Sequence, residues 1–330
     1  MITVKNKIGT PKYKQIVNSI EEAILSGALQ KGDQLPSINA IRDQHNLSRD
    51  TVLTAFNELK NRGIIQSVVG KGYYVSSEHI EIQQKVFLLF DELNSFKEDL
   101  YNSFLENLGE HIQVDIFFHH FNEKIFSKLI YDNIGDYNFY VIMPANLSNT
   151  NSAIQNLPTD KVFILDQIHD DLKSYSSVYQ DFESDIYTNL KKALKRIAHY
   201  DKLILVFDAE KQPQGMLKGF KGFCSDFNLE SKIIPSLKQY EPKHGEIYIV
   251  PDDKNLLRII KSSKTEQLKL GEDIGVISYN DTLLKEIVEG GITTISTDFN
   301  AMGKRLAEML MNSEVGQIAN TNNLIVRNSL

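Results

Sequence analysis

The sequence predicts an α/β protein with a small helical head and a larger body of parallel sheets flanked by helices. Two patterns indicate this architecture. Three helical stretches and two short β-prone runs follow one another over residues 1–77, and short apolar runs alternate with amphipathic stretches after residue 85. The charge divides near the same point, because residues 1–77 carry 10 Lys and Arg against 6 Asp and Glu, whereas residues 78–330 carry 26 against 37. A basic head on an acidic body indicates a polyanionic partner for the head.

The composition is that of an ordinary globular protein, with 42% hydrophobic and 24% charged residues in a chain of 330. This length fits two or three domains. The single cysteine, Cys224, excludes a disulfide framework and a multi-cysteine metal site. Because the sequence has no run of about 18 apolar residues and no apolar leader after Met1, we expect a cytoplasmic protein without a membrane partner.

The head contains three predicted helices and a hairpin. The first helix has apolar residues at helical spacing, namely Tyr13, Ile16, Val17, Ile20, Ala23 and Ile24. Ser37 is a candidate N-cap for a short second helix over 38–44, and Ser48 for a third helix that runs to Asn61. The β-prone runs 64–68 and 73–76 are joined by Gly70-Lys71-Gly72, which predicts a hairpin.

This order of elements is that of a winged helix-turn-helix, in which the third helix enters the major groove of DNA. The residues at the start of that helix would lie nearest the base edges, and they are Ser48, Arg49, Asp50 and Thr51. The small, basic hairpin tip with Lys71 and Gly72 can approach a phosphate or the minor groove. The order alone leaves an alternative open, which is a helical bundle with a hairpin of no special role.

Residues 11–75 also resemble the DNA-binding domain of GntR-family bacterial transcription regulators. The matching stretches are Pro11-Lys12-Tyr13-x-x-Ile16, Gly32-Asp33-x-Leu35-Pro36-Ser37, Leu47-Ser48-Arg49-Asp50-Thr51-Val52 and Gly70-x-Gly72-Tyr73-Tyr74-Val75. The resemblance implies a homodimer that binds a palindromic, double-stranded operator. Two family positions that often carry DNA-contacting arginines differ, since Ile38-Asn39 replaces Glu-Arg and Leu53 replaces Arg. These departures bear on the operator sequence rather than on DNA binding itself, because Arg49 remains to face a guanine, and Arg42, Lys71 and Tyr73 remain to contact the DNA backbone.

The body is expected to begin after a polar linker over residues 78–84. Its predicted strands are 86–90, 114–118, 140–143, 162–165, 203–207, 232–234, 246–250 and 273–278. Its predicted helices are 97–109, 123–131, 153–155, 183–200, 215–227, 254–261, 282–289 and 301–311. Two sets of about four apolar strands, each spaced by helices, predict two subdomains with parallel sheets.

Acidic and amide side chains follow several of the predicted strands. They are Asp91-Glu92, Asp166, Asp208, Asp252-Asp253 and Asn280-Asp281. Ligands of parallel sheets bind at the carboxyl ends of the strands, and carboxylate and amide oxygens accept hydrogen bonds from sugar hydroxyls. Helix capping is the competing interpretation for any one of these residues.

Residues 86–329 resemble the effector domain of LacI-type regulators, which is related to periplasmic sugar-binding proteins. The clearest stretches are Gly271-Glu272-Asp273-Ile274-Gly275-Val276-Ile277-Ser278-Tyr279-Asn280-Asp281 and Met302-Gly303-x-x-Leu306-Ala307. The resemblance implies two hinged lobes within 85–330: lobe one at about 85–179 and 296–316, and lobe two at about 180–294 and 317–330. Effector contacts carried over by position are Asp91, Asp166, Asp252 and Asn280, to which the adjacent Glu92 is added. Gly219 stands where the family often has a ligand-gripping arginine, so Lys218 is a candidate substitute.

Together these features predict a transcription regulator, a repressor rather than an enzyme, whose operator affinity is controlled by a monosaccharide bound between the lobes. No cofactor is expected, and no metal site either, because His119-His120 lacks a third ligand at diagnostic spacing. The alternative is a DNA-binding head fused to an enzymatic or non-sugar-sensing domain. An aminotransferase-like body of that kind is larger than the residues available here.

Overall fold

A computed structural model describes residues 2–4, 10–77, 84–109 and 112–330. The predicted linker 78–84 lies outside the described residues except for Gln84, which opens the first strand of the body. Within the described part of the chain, no helix has the length and apolar character that crossing a membrane requires.

The head is a three-helix unit closed by a hairpin. It comprises α1 (Lys12–Leu25), α2 (Ile38–His45), α3 (Arg49–Asn61), β1 (Ile65–Val68) and β2 (Gly72–Val75), with the two strands antiparallel. The hydroxyl oxygens of Ser37 and Ser48 each accept a hydrogen bond at 3.1 Å from a backbone N–H of the following helix, so both predicted caps are present. Ile20, Val52 and Phe56 are fully buried in the core of the head.

The body alternates strands and helices along its whole length. In chain order these are β3 (Gln84–Phe90), α4 (Ser95–Glu106), β4 (Ile112–Phe118), α5 (Glu123–Asp132), β5 (Phe139–Ile142), α6 (Thr150–Ile154), β6 (Val162–Asp166), β7 (Ser176–Tyr179), α7 (Phe182–Ile197), β8 (Lys202–Val206), α8 (Gln214–Asp226), β9 (Ser231–Ile234), β10 (Glu246–Val250), α9 (Asp253–Thr265), β11 (Gly275–Tyr279), α10 (Leu283–Ile287), β12 (Thr293–Thr297), α11 (Phe299–Met311), β13 (Gln317–Ala319) and β14 (Asn322–Ile325).

The strands form two six-stranded sheets, one in each lobe. Lobe one has the order β13-β7-β6-β5-β3-β4, and lobe two has the order β14-β12-β11-β10-β8-β9. All pairs are parallel except β12 with β14. Apolar side chains fill both faces of each sheet, as parallel sheets require. The predicted fold class is confirmed, although each sheet has six strands where we expected about four.

The chain crosses between the lobes three times, after β7, after β12 and after β13. Two boundaries differ from our expectation. Gln317–Ala319 pairs with β7 and belongs to lobe one, and β12 stays in lobe two as far as Thr297. The third crossing then lets β14 pair with β12. Ser329, beyond the end of β14, accepts a hydrogen bond from the Thr293 N–H and donates one to the Val276 carbonyl, each at 2.7 Å.

Candidate functional site: a cleft between the lobes and a basic head

The carboxyl ends of strands from both lobes face one cavity of about 300 Å³, here called the interlobe cleft. Lobe one contributes Asp91, Glu92 and Asp166 to its lining, and lobe two contributes Asp252 and Asn280. Five of the six predicted effector residues are therefore brought together. The volume lies at the lower end of the roughly 300–1,000 Å³ found for small-molecule sites, which fits a ligand of monosaccharide size.

Asp91 is buried at the end of β3 and forms an ion pair with the equally buried Lys97 of α4. Its Oδ1 also accepts a hydrogen bond from the N–H of Glu92 at 2.6 Å. Sequence reasoning missed Lys97, because a lysine in the first turn of an amphipathic helix ordinarily faces water. Burial beside a strand-end carboxylate makes it part of the cleft.

Asp166 ends β6 with a left-handed backbone, at φ 73°. Gln180 donates a hydrogen bond from Nε2 to its Oδ1 at 2.5 Å. Burial raises the pKa of Asp166, and the nearby Lys97 ammonium opposes that rise. The carboxyl group therefore lines the cleft without a direct cationic partner among the described residues.

Gln180 begins a chain of hydrogen bonds that joins all three crossings. Thr297, at the second crossing, donates from Oγ1 to the Oε1 of Gln180 at 2.6 Å. Asn322, just after the third crossing, donates to the Oγ1 of Thr297 at 3.1 Å and accepts from Asn189 of α7 at 2.9 Å. Through Asp166, this chain links the cleft directly to the hinge between the lobes.

The lobe-two wall contains one predicted residue that also caps a helix. Asp252 is the N-cap of α9, and its two oxygens accept hydrogen bonds from the backbone and side chain of Asn255 at 2.9 and 2.7 Å. Asn280 adopts a left-handed backbone at φ 61°, and among the described residues its buried Oδ1 has no hydrogen-bond partner. Asn280 thus offers the cleft a free acceptor, whereas Asp252 serves the helix.

Lys218 does not line the interlobe cleft, which corrects our expectation that it substitutes for the missing arginine. It is exposed on α8, and Met216 is the residue of that helix that faces the cleft. A Cβ at Gly219 would collide with the carbonyl oxygen of Glu183, so this glycine allows α7 and α8 to approach closely. No side chain at position 219 reaches a ligand in this packing.

Aromatic rings form part of the cleft lining. Phe96 and Tyr279 belong to the lining, whereas Phe90 and Phe220 are fully buried in the cores. Phe121 and Phe182 also line the cleft. Apolar ring faces beside acceptors are the surroundings that a pyranose ring prefers.

The head presents its predicted DNA-contacting residues unevenly. Arg49 is exposed at the start of α3, and Lys71 and Gly72 are exposed at the hairpin tip. Arg42 is engaged in an ion pair with Asp43 at 2.7 Å. The ring of Tyr73 packs edge-on against Phe56 at 4.7 Å between centroids, so its main contact is with the core of the head.

The other three predicted residues lie at the same helix start. The hydroxyls of Ser48 and Thr51 are 2.8 Å apart and hydrogen-bond to each other, and Asp50 is exposed in the first turn. Ser48 rather than Asp50 caps the helix. Among the described residues, no group of three or more His, Cys, Asp or Glu side chains is arranged to hold a metal ion.

Comparison with known proteins matches the head and the body to two different family models. Residues 12–75 match the model for "Bacterial regulatory proteins, gntR family", and residues 196–329 match the "Periplasmic binding protein-like domain". The HTH-type transcriptional repressor YtrA of Bacillus subtilis (strain 168) is 32% identical over 100 residues, which are 30% of this chain and 73% of the repressor. The mannosyl-D-glycerate transport/metabolism system repressor MngR of Escherichia coli (strain K12) is 37% identical over 82 residues, 25% of this chain and 34% of that protein.

Solved structures match the body at low sequence identity. A lac repressor dimer bound to operator and the anti-inducer ONPF is 15% identical, with a TM-score of 0.61 over 75% of this chain and 94% of that one. A LacI family regulator from Lactobacillus casei with bound glucose is 14% identical, with a TM-score of 0.60 over 75% of this chain and 100% of that one. These likenesses establish the two-lobed fold.

Proposed function

Since the chain belongs to the GntR family of bacterial regulatory proteins, we propose that it is a repressor whose affinity for operator DNA is controlled by a monosaccharide bound in the interlobe cleft. The observation that carries this proposal is the convergence of Asp91, Glu92, Asp166 and Asn280, at the ends of β3, β6 and β11, on one small cavity between the lobes. Their oxygens accept hydrogen bonds from hydroxyl groups, and the flanking rings stack on a sugar face.

The hinge supplies a route from ligand to DNA. A sugar that contacts both lobes favours the closed arrangement. Closure moves lobe one relative to lobe two, and it thereby moves the DNA-binding head, which precedes lobe one in the chain. The chain of hydrogen bonds from Asp166 through Gln180 and Thr297 to Asn322 connects the cleft to all three crossings, so that a ligand bound at Asp166 affects each of them. The ligand acts only to the extent that it binds one arrangement better than the other.

Control of a palindromic operator requires two heads, so we propose that the protein acts as a homodimer. Paired recognition helices must match half-sites one DNA turn apart, roughly 34 Å. In the short helix α10, Leu283, Leu284 and Ile287 are 79%, 51% and 76% exposed. Three large apolar side chains on one exposed turn are typical of a protein interface, and a two-fold pairing of this face in two copies would bury them.

The test combines a ligand screen with DNA binding. Duplexes that the full chain retains are first selected from a random library, and monosaccharides are then screened for a rise in melting temperature. A sugar that stabilises the protein should weaken operator binding at least fivefold, in line with typical allosteric coupling of roughly 5–150-fold. Failure to retain any duplex, or operator affinity unchanged by a stabilising sugar, contradicts the proposal.

A further inference from the structure

The charges that line the interlobe cleft are unequal in number. Its carboxylates are Asp91, Glu92, Asp166, Asp252 and Asp253, and its cations are Lys97, Lys211 and Lys285. The formal balance is therefore negative, although ligand sites for phosphates and carboxylates normally offer free cationic donors. What matters for an anionic ligand is how many of the three lysines carry a positive charge that no carboxylate of the cleft already neutralises.

The two buried lysines are already engaged. Lys97 is paired with Asp91, so a carboxylate of the cleft already neutralises its charge, although Asp91 takes only one of its three N–H donors. The ammonium group of Lys285, only 2% exposed, donates to the carbonyl oxygens of Tyr279 and Asn280 at 2.9 and 2.8 Å and lies 3.1 Å from Asp253 Oδ1. A lysine has three N–H donors, so Lys285 has none left for a ligand.

The third lysine, Lys211, lies at the mouth of the cleft. Lys211 is exposed, and its Nζ lies 5.8 Å from the centroid of the Phe121 ring. A solvated ammonium at the mouth neutralises an anion deeper in the cleft only weakly, because water screens it. Position 219 supplies no cationic side chain either, because it is a glycine and the packing of α8 on α7 leaves no room for a side chain there.

The carboxylate and amide oxygens that remain without a cationic partner are hydrogen-bond acceptors. Glu92 is half-buried in the lining of the cleft and makes no ion pair with any residue that the structure describes. Asp166 has only the amide of Gln180 on its Oδ1, and the buried Oδ1 of Asn280 lacks a donor within the described chain. Acceptors without donors are satisfied by ligand hydroxyl or amino groups and repel ligand anions.

We propose that the effector is a polyhydroxylated molecule without a phosphate or carboxylate group, so that the cleft selects a free sugar over its phosphorylated or acidic form. This inference rests on the proposed function and narrows it. It also identifies Glu92 as a determinant of that selectivity, because Glu92 lines the cleft and its carboxylate makes no ion pair with a described residue.

The test uses matched ligands on the full chain. Neutral and amino monosaccharides, the corresponding 6-phosphates and the corresponding uronic acids are screened by thermal shift, and each ligand that binds is titrated calorimetrically with its anionic partners. We expect the anionic forms to bind at least 100-fold more weakly than the neutral or amino parent. A phosphate or uronic acid that binds as tightly as its parent overturns this inference and leaves sugar control intact. If no ligand of any class binds, sugar control itself fails and the inference fails with it.

A pair of variants tests the electrostatic origin of the selectivity. Glu92→Gln should reduce the discrimination against the anionic ligand at least threefold while the neutral parent still binds. The control is Glu98→Gln, the same chemical change at an exposed position of α4 outside the cleft, which should leave the discrimination unchanged. Equal discrimination in both variants removes the role assigned to Glu92 and overturns the charge argument.

Discussion

Asn146 of lobe one donates a hydrogen bond from Nδ2 to the backbone carbonyl of Gln212 in lobe two, at 2.6 Å. Gln167 holds the same amide from the other side, donating to Asn146 Oδ1 at 2.9 Å. Because the bond joins opposite lobes beside the cleft, it exists only while the lobes are close. It therefore contributes to the closed arrangement rather than to the stability of either lobe alone.

Replacing Asn146 tests this contribution. Asn146→Ala removes a bond that contributes about 1 kcal/mol, so effector affinity should fall about fivefold while the melting temperature of the free protein changes little. Calorimetric titration and thermal unfolding measure the two effects. Asn156→Ala is the matched control, because Asn156 also donates to backbone carbonyls but only within lobe one. Equal effector affinity in the two variants would exclude a closing role for Asn146.

Arg49 and Lys71 should differ in the kind of DNA binding they support. Arg49→Ala should lower the preference for the selected operator over random duplex by roughly 1–3 kcal/mol, because a bidentate arginine–guanine pair discriminates between bases. Lys71→Ala should weaken both duplexes similarly and reduce the salt slope by about 1. Gel-shift titrations at several salt concentrations separate these outcomes. If Arg49→Ala binds both duplexes as the parent does, α3 is not the reading helix.

Gln180 should affect both stability and ligand response. In Gln180→Leu the side chains of Asp166 and Thr297 lose their shared partner, which should destabilise the protein by roughly 1–3 kcal/mol. The variant should also bind the effector more weakly, because Asp166 is no longer held in place. Urea unfolding and calorimetry give the two readouts. A variant with unchanged stability would show that this chain of hydrogen bonds carries no net free energy.

Asp185 of α7 should make the stability pH-dependent. Burial raises the pKa of Asp185 to about 7, the Asp181 carboxylate acts in the same direction, and Lys192 opposes it. The unfolded chain loses this proton near the ordinary value of 3.8, whereas the folded protein keeps it to about pH 7. Stability from this group is therefore complete at low pH and falls as the pH rises from about 4 to about 7. Asp185→Asn should match the parent at pH 4 and exceed it at pH 8 in denaturant unfolding, and the reverse order would contradict the assignment.

The exposed face of α10 should hold two copies together. Leu283→Asp combined with Ile287→Asp places charges where apolar side chains would meet, so the variant should sediment as a monomer at concentrations where the parent is a dimer. Operator affinity should fall steeply, since one head occupies only one half-site. Tyr131→Asp, which places a charge on the exposed face of α5 in lobe one, serves as the control and should remain dimeric. A dimeric double variant would place the contact elsewhere.

All eight strands predicted for the body are present, and the four that were missed, β7, β12, β13 and β14, each contain polar side chains. The run Glu246–Val250 is a strand with the predicted bounds. In β12, Thr293 and Thr294 are fully buried, but a run of three Thr and one Ser around a single Ile lacks the apolar pattern by which a buried strand is predicted. Their hydroxyls are satisfied by the Arg327 carbonyl and the Asp281 carboxylate, which lie 34 and 13 residues away in sequence. Such partners become visible only in the folded chain.

The residues of the cleft, like the strands, were predicted only in part. The rule that parallel strands end at one edge was sufficient to nominate Asp91, Asp166 and Asn280, which the structure places in one cavity. It did not reveal Lys97 and Lys285, because the burial of a lysine depends on the neighbours it meets after folding. Lys218 was misjudged for a related reason, since adjacent positions on a helix face in different directions.

The strand β14 and the buried Ser329 affect the order in which the parts of the protein fold during synthesis. Translation delivers the DNA reader early, as an independent helical unit, whereas the second lobe waits for residues 322–330 to leave the ribosome before its sheet is finished. On the proposed function, a nonsense mutation shortly before codon 322 would spare the reader and cripple the sensor. Cells carrying such an allele would lose inducibility and, because the α10 face proposed to pair two copies belongs to the same unfinished lobe, repression as well.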